Sequence, residues 1–313
     1  MEYLNTPISF DDILSIQTLV GIFGVLIVVN LSLVLVRKYP IISDVILIAL
    51  TLRIGASFLQ YFVVSLPDGG TDAMGFELFS SMWSQNGFLG AFTHFFEKGG
   101  SWFYSNVGSL LYSVFGRSVL LLQSVSVLAG VYCVVLTYKL TGYVWNMPTA
   151  QRTTASIVAV YPILVLYSAL TMREVFITLA VLYALINVVK WIHTKQSIHA
   201  LLALAAFSTG LILHPAILVG GLLFFGLLTI YAVGRMHSDY SQKKIPFITI
   251  YLLSIASFLV ISISSEDILN MQYISFAVGT GSIEAYLNAY MGSGFSGSAA
   301  FPEWLIAESL TQY

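Results

Sequence analysis

The chain has 313 residues, of which 58% are hydrophobic and only 9% charged, with a formal net charge of -2. An average soluble domain carries about 25% charged residues, and the mean hydropathy here is +0.87, so a water-soluble globular fold is excluded for want of polar surface. The charge balance lacks the basic cluster of a nucleic-acid binder, and a single cysteine, Cys133, leaves no disulfide framework or thiolate metal site within one chain.

The apolar residues lie in continuous runs, such as 120–137 and 201–213, and not in the short alternating segments of a membrane β-barrel. Backbone groups in lipid must be paired internally. The expected fold is therefore all-α, a polytopic transmembrane helix bundle. Eight spans are expected, at about residues 14–36, 43–66, 118–138, 154–171, 175–189, 198–213, 216–233 and 246–265. Residues 1–12 are acidic and lack the basic n-region of a cleaved signal peptide, so the first span is expected to be retained.

Arg37 and Lys38 follow the first span, and Lys139 and Arg152 flank the loop after the third. Lys190 and Lys195 follow the fifth span, and Arg235, Lys243 and Lys244 the seventh. Nine of the thirteen basic residues thus share one side, which the positive-inside rule makes cytoplasmic. The N-terminus and the two long loops, 67–104 and 266–313, then face outward, and residues 1–265 form the membrane domain. Long loops are disproportionately functional. Residues 105–116 are apolar but too short to cross alone, and read as a re-entrant or interfacial helix or as the start of the third span.

Four basic residues escape the inner side: Arg53, Lys98, Arg117 and Arg173. An ionised group at bilayer depth costs about 2.5–3.5 kcal/mol on insertion scales, so each calls for a partner, water or a ligand. Arg53 lies within the second span and is expected to face the bundle interior, paired with an outer carboxylate or serving structure alone. In the first outer loop Asp68 precedes Gly69 and Gly70, and Asp72 and Glu77 follow them. Asp68 and Asp72, four residues apart, share a face if that stretch is helical. Such a pair can hold a hard divalent cation, Mg or Mn, through oxygen, or supply a general base. A solvated acidic turn accounts for the same spacing. Lys98, beside Gly99 and Gly100, is a candidate anion binder, and Trp102, Phe103 and Tyr104 suit headgroup depth. Arg173 and Glu174 sit in a tight turn between two short spans, and His214-Pro215 repeats that position between the sixth and seventh. An ordinary interfacial ion pair and an interfacial histidine are the plain alternatives for those two turns.

The order of these motifs resembles a family. Gly70, Thr71, Asp72 and Ala73 come first, then residues 99–104 and 110–116. Tyr161-Pro162 and residues 168–174 follow, and His214-Pro215 closes the series. Across roughly residues 45–235 the chain resembles the GT-C polyprenyl-phosphate-dependent glycosyltransferases. That class includes the protein mannosyltransferases and lipid A aminoarabinose transferases, and the likeness is closest to members from bacterial polysaccharide clusters. The resemblance implies a GT-C-like bundle in a bacterial inner membrane, with its site on the extracytoplasmic side. It implies inverting transfer of a sugar from a polyprenyl-phosphate donor to a lipid or glycan acceptor. Asp72 would be the base, with Asp68 and Glu77 behind it. Arg173, Lys98 and His214 would hold the donor phosphate, with Glu174, Arg53 and Tyr104 in support. Asp68 and Asp72 would be the ligands of any metal. Two departures stand out. Similar proteins often carry Arg-Pro where this chain has His214-Pro215, and histidine is only partly protonated at neutral pH. A Tyr common four residues after the loop Asp is here Phe76. A polysaccharide polymerase and a transporter of a lipid-linked solute are the alternatives.

Overall fold

The computed structural model describes residues 15–69, 72–97, 103–194, 196–214 and 217. Within them the chain forms ten α-helices. The first, α1 (Ile16–Lys38), starts where the Ser15 hydroxyl accepts the Thr18 N–H, and ends on Arg37 and Lys38, cations that complement the negative helix terminus. A 3-10 turn, Pro40–Ile42, leads into α2 (Ser43–Phe62). Three helices follow outside the membrane spans: α3 (Asp72–Ser84), α4 (Gly87–Glu97) and α5 (Phe103–Phe115). Next comes α6 (Val119–Trp145), capped by the Ser118 hydroxyl at one end and by left-handed Asn146 at the other. The described chain closes with α7 (Pro148–Val160), α8 (Pro162–Ala169), α9 (Glu174–Thr194) and α10 (Ser197–Leu213).

The bundle is organised around α6, which packs against α1, α2, α7, α8 and α9. Its apolar window is 78% buried, against 28% for α1, which makes α6 the axis and α1 a lipid-facing flank. Gly21 and Gly24 let α1 approach closely. A Cβ on Gly21 would stand 2.6 Å from Leu120 Cβ, and one on Gly24 2.7 Å from Leu121 Cδ1. Small residues at such a crossing bring backbones together where lipid supplies no hydrophobic drive. The main core joins Val28, Ile46, Ala49, Val131, Val135 and Ala155.

The expectation of eight spans is corrected. Among the described residues, four helices are long and apolar enough to cross a membrane, or five if one bent pair is counted as a span. The stretch expected as a span at 154–171 is that pair. Here α7 and α8 meet at 54°, because Pro162 has no N–H to continue the ladder and clashes with the turn before it. The stretch at 198–213 forms α10, whose 17 residues reach about 25 Å, short of a hydrocarbon core of about 30 Å. The stretch at 175–189, expected to be short, is the opposite case. Helix α9 runs 21 residues, since Lys190 and His193 interrupt the apolar pattern but not the helix. The spans expected at 216–233 and 246–265, and the segment 266–313, lie outside the described residues. The described residues form an all-α fold, and its long apolar helices make the protein an integral membrane protein.

Candidate functional site

One end of the bundle is assembled from three turns. The first follows α2. Gln60 Oε1 accepts the Leu66 N–H, and Gly69 sits on the Gln60 side chain so closely that a Cβ would lie 2.6 Å from its amide atoms. Between them Asp68 adopts φ +63° and is exposed. Asp72 is the first residue of α3, where the positive end of the helix favours a carboxylate. Asp68 therefore precedes the helix and does not share a helical face with Asp72. Across from them Tyr167 of α8 donates to Asp68 Oδ2 at 3.5 Å.

The second turn joins α8 to α9. Leu170 and Met172 bury their side chains against Ala73. The Thr171 hydroxyl donates to the Ala73 carbonyl at 2.7 Å. That bond ties the residue after Asp72 to the residue two before Arg173. The Arg173 carbonyl accepts the Phe176 and Ile177 N–H groups, each at 3.0 Å, and so starts α9. Its side chain is 6% exposed, with Nε 3.7 Å from Glu174 Oε1. The guanidinium lies over the Phe76 ring, 5.1 Å from its centroid, a desolvated cation–π contact. Asp68 and Asp72 are within electrostatic reach of Glu174 as well.

The third turn is His214, which caps α10 with its N–H on the Gly210 carbonyl at 2.9 Å. Burial, and secondarily the Arg173 charge, lower its pKa from the ordinary 6.5. Neutral imidazole is therefore the resting form at neutral pH, a donor and acceptor but not a second cation.

Below Arg173 the rings continue inward. Phe76 meets Tyr104 edge-on at 5.6 Å, and Tyr104 meets Phe176 at 5.5 Å. Tyr104 does not present its ring to the surface. It is buried, with its hydroxyl 3.3 Å from Ser126 Oγ, and burial pushes its pKa up. Tyr104 and Phe176 line one end of a cavity of about 450 Å³ between α5, α6, α9 and α10. Tyr183, Leu202, Thr209 and Leu213 line the rest, almost wholly with apolar surface. Leu213 directly precedes His214, so the cavity adjoins the polar turns.

The structure thus brings Asp68, Asp72, Arg173, Glu174 and His214 to one end of the bundle, with Tyr104 beneath. Two of the residues singled out in the sequence are engaged elsewhere. Both oxygens of Glu77 are held by Arg117, from Nε at 2.9 Å and Nη2 at 2.8 Å, and Tyr112 donates to Oε1 at 3.2 Å. Desolvation beside that carboxylate pushes the Tyr112 pKa up. Arg53 is fully buried and binds carbonyls: Ala159 at 2.9 Å, Ala49 at 3.1 Å and Val158 at 3.2 Å, with Ser168 Oγ at 3.3 Å. Two of these partners, Val158 and Ala159, are among the last carbonyls of α7, freed by the break before Pro162. Lys98 lies outside the described residues. Among the described residues no three His, Cys, Asp or Glu side chains are grouped to hold a metal ion.

Sequence reasoning missed the cavity, the Thr171 tie and the Tyr167–Asp68 contact. The first needs the packing of four helices. Pro162, in the middle of an uncharged stretch, was the available signal for the break that places the other two. Comparison with protein-family models, curated proteins and solved structures finds no match for this chain.

Proposed function

We propose that this protein transfers a sugar from a polyprenyl-phosphate donor to a lipid or glycan hydroxyl at the extracytoplasmic face, as the GT-C glycosyltransferases that its sequence resembles do. What supports the reading most is one juxtaposition. The Thr171–Ala73 hydrogen bond holds the carboxylate-bearing start of α3 against the Arg173 turn, beside an apolar cavity. A donor with an anionic head and a hydrocarbon tail matches that pairing of cation and grease.

In this reading the donor phosphate sits at Arg173 and its prenyl chain enters the cavity past Leu213. Asp72 takes the proton from the acceptor hydroxyl, whose oxygen attacks the anomeric carbon. The bond from that carbon to phosphate breaks, and polyprenyl phosphate leaves as an anion that needs charge stabilisation but no acid. The product is the glycosylated acceptor with inverted configuration. Glu174 and Tyr167 orient the groups around Asp72. Asp68 lies at the exposed rim, where an acceptor arrives.

The test is transfer by purified protein in liposomes, from short-chain polyprenyl-phosphate sugars to glycan or lipid acceptors. Wild-type protein should transfer, and Asp72→Asn should lose at least about 100-fold of the rate while still retaining polyprenyl phosphate. Transfer at the wild-type rate by Asp72→Asn removes the assigned base. Movement of the intact donor across the bilayer, with no transfer, makes the protein a transporter of lipid-linked solute.

A further inference from the structure

At the opposite end of the bundle, cations and phenol rings alternate in a row. Lys38 Nζ lies 5.9 Å from the Tyr39 ring centroid, and Lys139 Nζ lies 5.2 Å from the same ring. Lys139 is also within electrostatic reach of Tyr132 and Tyr143. Lys190 Nζ then lies 5.2 Å from the Tyr143 ring centroid. Tyr138 meets Tyr39 edge-on at 6.3 Å. The row therefore runs Lys38, Tyr39, Lys139, Tyr143, Lys190 across the ends of α1, α6 and α9.

Among the described residues none of these three lysines is ion-paired to a carboxylate. The single described carboxylate at this end, Asp44, is taken by Arg152, which binds it at 2.5 Å and the Ile41 carbonyl at 2.9 Å. A ring face attracts an ammonium through its quadrupole but leaves the full positive charge in place. It also fixes where the ammonium points, so its remaining donors are presented together. Tyr143 and Trp145 are exposed where α6 ends, the depth at which aromatic rings anchor to headgroups.

We propose that this row is a binding site for an acidic phospholipid of the adjacent leaflet. The headgroup phosphate is held by Lys139 with Lys38 or Lys190, and the phenols sit between the charges. Charge complementarity selects an anionic headgroup. The position of the row at the membrane-facing ends of three helices selects a lipid over a soluble anion, because the acyl chains lie along helices already exposed to bilayer. The proposal does not depend on the reaction assigned to the other end.

The test is native mass spectrometry of the full chain taken from bilayers of phosphatidylcholine with phosphatidylglycerol. Wild-type protein should retain phosphatidylglycerol in preference to phosphatidylcholine. Each of Lys38→Gln, Lys139→Gln and Lys190→Gln should weaken that preference about fivefold, the weight of one basic residue at an anionic surface. Tyr39→Leu with Tyr143→Leu leaves the charge unchanged and should weaken it severalfold. Arg37→Gln, at the same end but outside the row, should leave it within twofold. Equal loss in the Arg37 and Lys139 variants, or none in the ring variant, reduces the row to general surface charge and overturns the site. Displacement of the lipid by inorganic phosphate alone would make it a free-anion site, also against the proposal. Melting in pure phosphatidylcholine verifies folding, and Lys139→Gln alone carries the test if combined variants do not fold.

Discussion

The Arg53 guanidinium and the Ala159 carbonyl oxygen, 106 residues apart in the chain, lie 2.9 Å from one another with no solvent access to the arginine. Helices end with unpaired carbonyls and a negative terminus, which water or a cation normally satisfies. In a bundle facing lipid there is little water to do so. Arg53 fills that role for α7, donating to Val158 and Ala159 at once. The same side chain reaches Ser168 in α8, so one residue spans both sides of the break. Arg53→Met should destabilise by about 2–5 kcal/mol, since it strands buried carbonyls. Arg53→Lys should recover part of that loss. Thermal melts in matched detergent measure both, and a neutral Arg53→Met would refute the capping role.

Gly130 faces the same cluster from α6. A Cβ there would run into Ser168 Oγ and stand 2.7 Å from Arg53 Nε. Gly55, on α2, has nothing within 4 Å of its Cβ position. Gly130→Ala should therefore be strongly destabilising. Gly55→Ala should gain about 0.5–1 kcal/mol through reduced backbone freedom in the unfolded chain. The contrast between two identical substitutions in two helices is the measurement, and similar melting shifts would argue against the fit.

Glu77 and Arg117 close α3 onto the start of α6. Arg117 is about half exposed while Glu77 is buried, so loss of the arginine leaves a buried carboxylate and loss of the glutamate does not leave a buried cation. Arg117→Ala should cost more than Glu77→Gln. The double variant should be milder than the sum by about 1–3 kcal/mol. A double-mutant cycle by chemical denaturation reads the coupling, and strict additivity would show the pair to be inert.

His214 has a native pKa below its ordinary 6.5 because burial and Arg173 disfavour its cation. The unfolded chain then binds the proton more readily. Stability is full above the ordinary value, falls as pH drops through it, and levels off once the native pKa is passed. Melting temperature across that range should fall toward acid more steeply in the wild type than in His214→Gln. Equal slopes would show that His214 does not contribute.

Arg173→Ala removes the proposed phosphate ligand. On the proposed function it should raise the donor concentration needed for half-maximal transfer, with a smaller effect on acceptor dependence. Unchanged donor dependence would exclude Arg173 from phosphate binding.

Long apolar runs carried the membrane character into plain view, and helices α1, α2, α6 and α9 fall close to the stretches read from hydrophobicity. The number of spans did not follow from the same signal. Composition over 154–171 is apolar throughout, but one proline turns it into two pieces at 54°, and hydropathy does not register a bend. The polar residues of the three turns were legible because charge in an apolar chain is conspicuous. Their division of labour was not. Arg53 and Arg173 both read as anomalous cations, yet one binds carbonyls inside the bundle and the other lies over Phe76 among carboxylates. Only the packing of α7, α8 and α3 around them separates the two. The cavity had no signal in any single segment, since its walls are leucines, alanines and aromatics that any of these helices would carry.

The cap on α7 also has a temporal side. Arg53 leaves the ribosome more than a hundred residues ahead of the α7 carbonyls it binds. Until the kinked pair emerges, the nascent chain carries an arginine in its second crossing without those acceptors. Synthesis of residues 148–169 is then the moment at which the second crossing becomes fully tolerable to lipid. Stable insertion of the early helices should therefore depend on arrival of the bend, and chains cut short before Pro162 should be poor substrates for stable membrane integration.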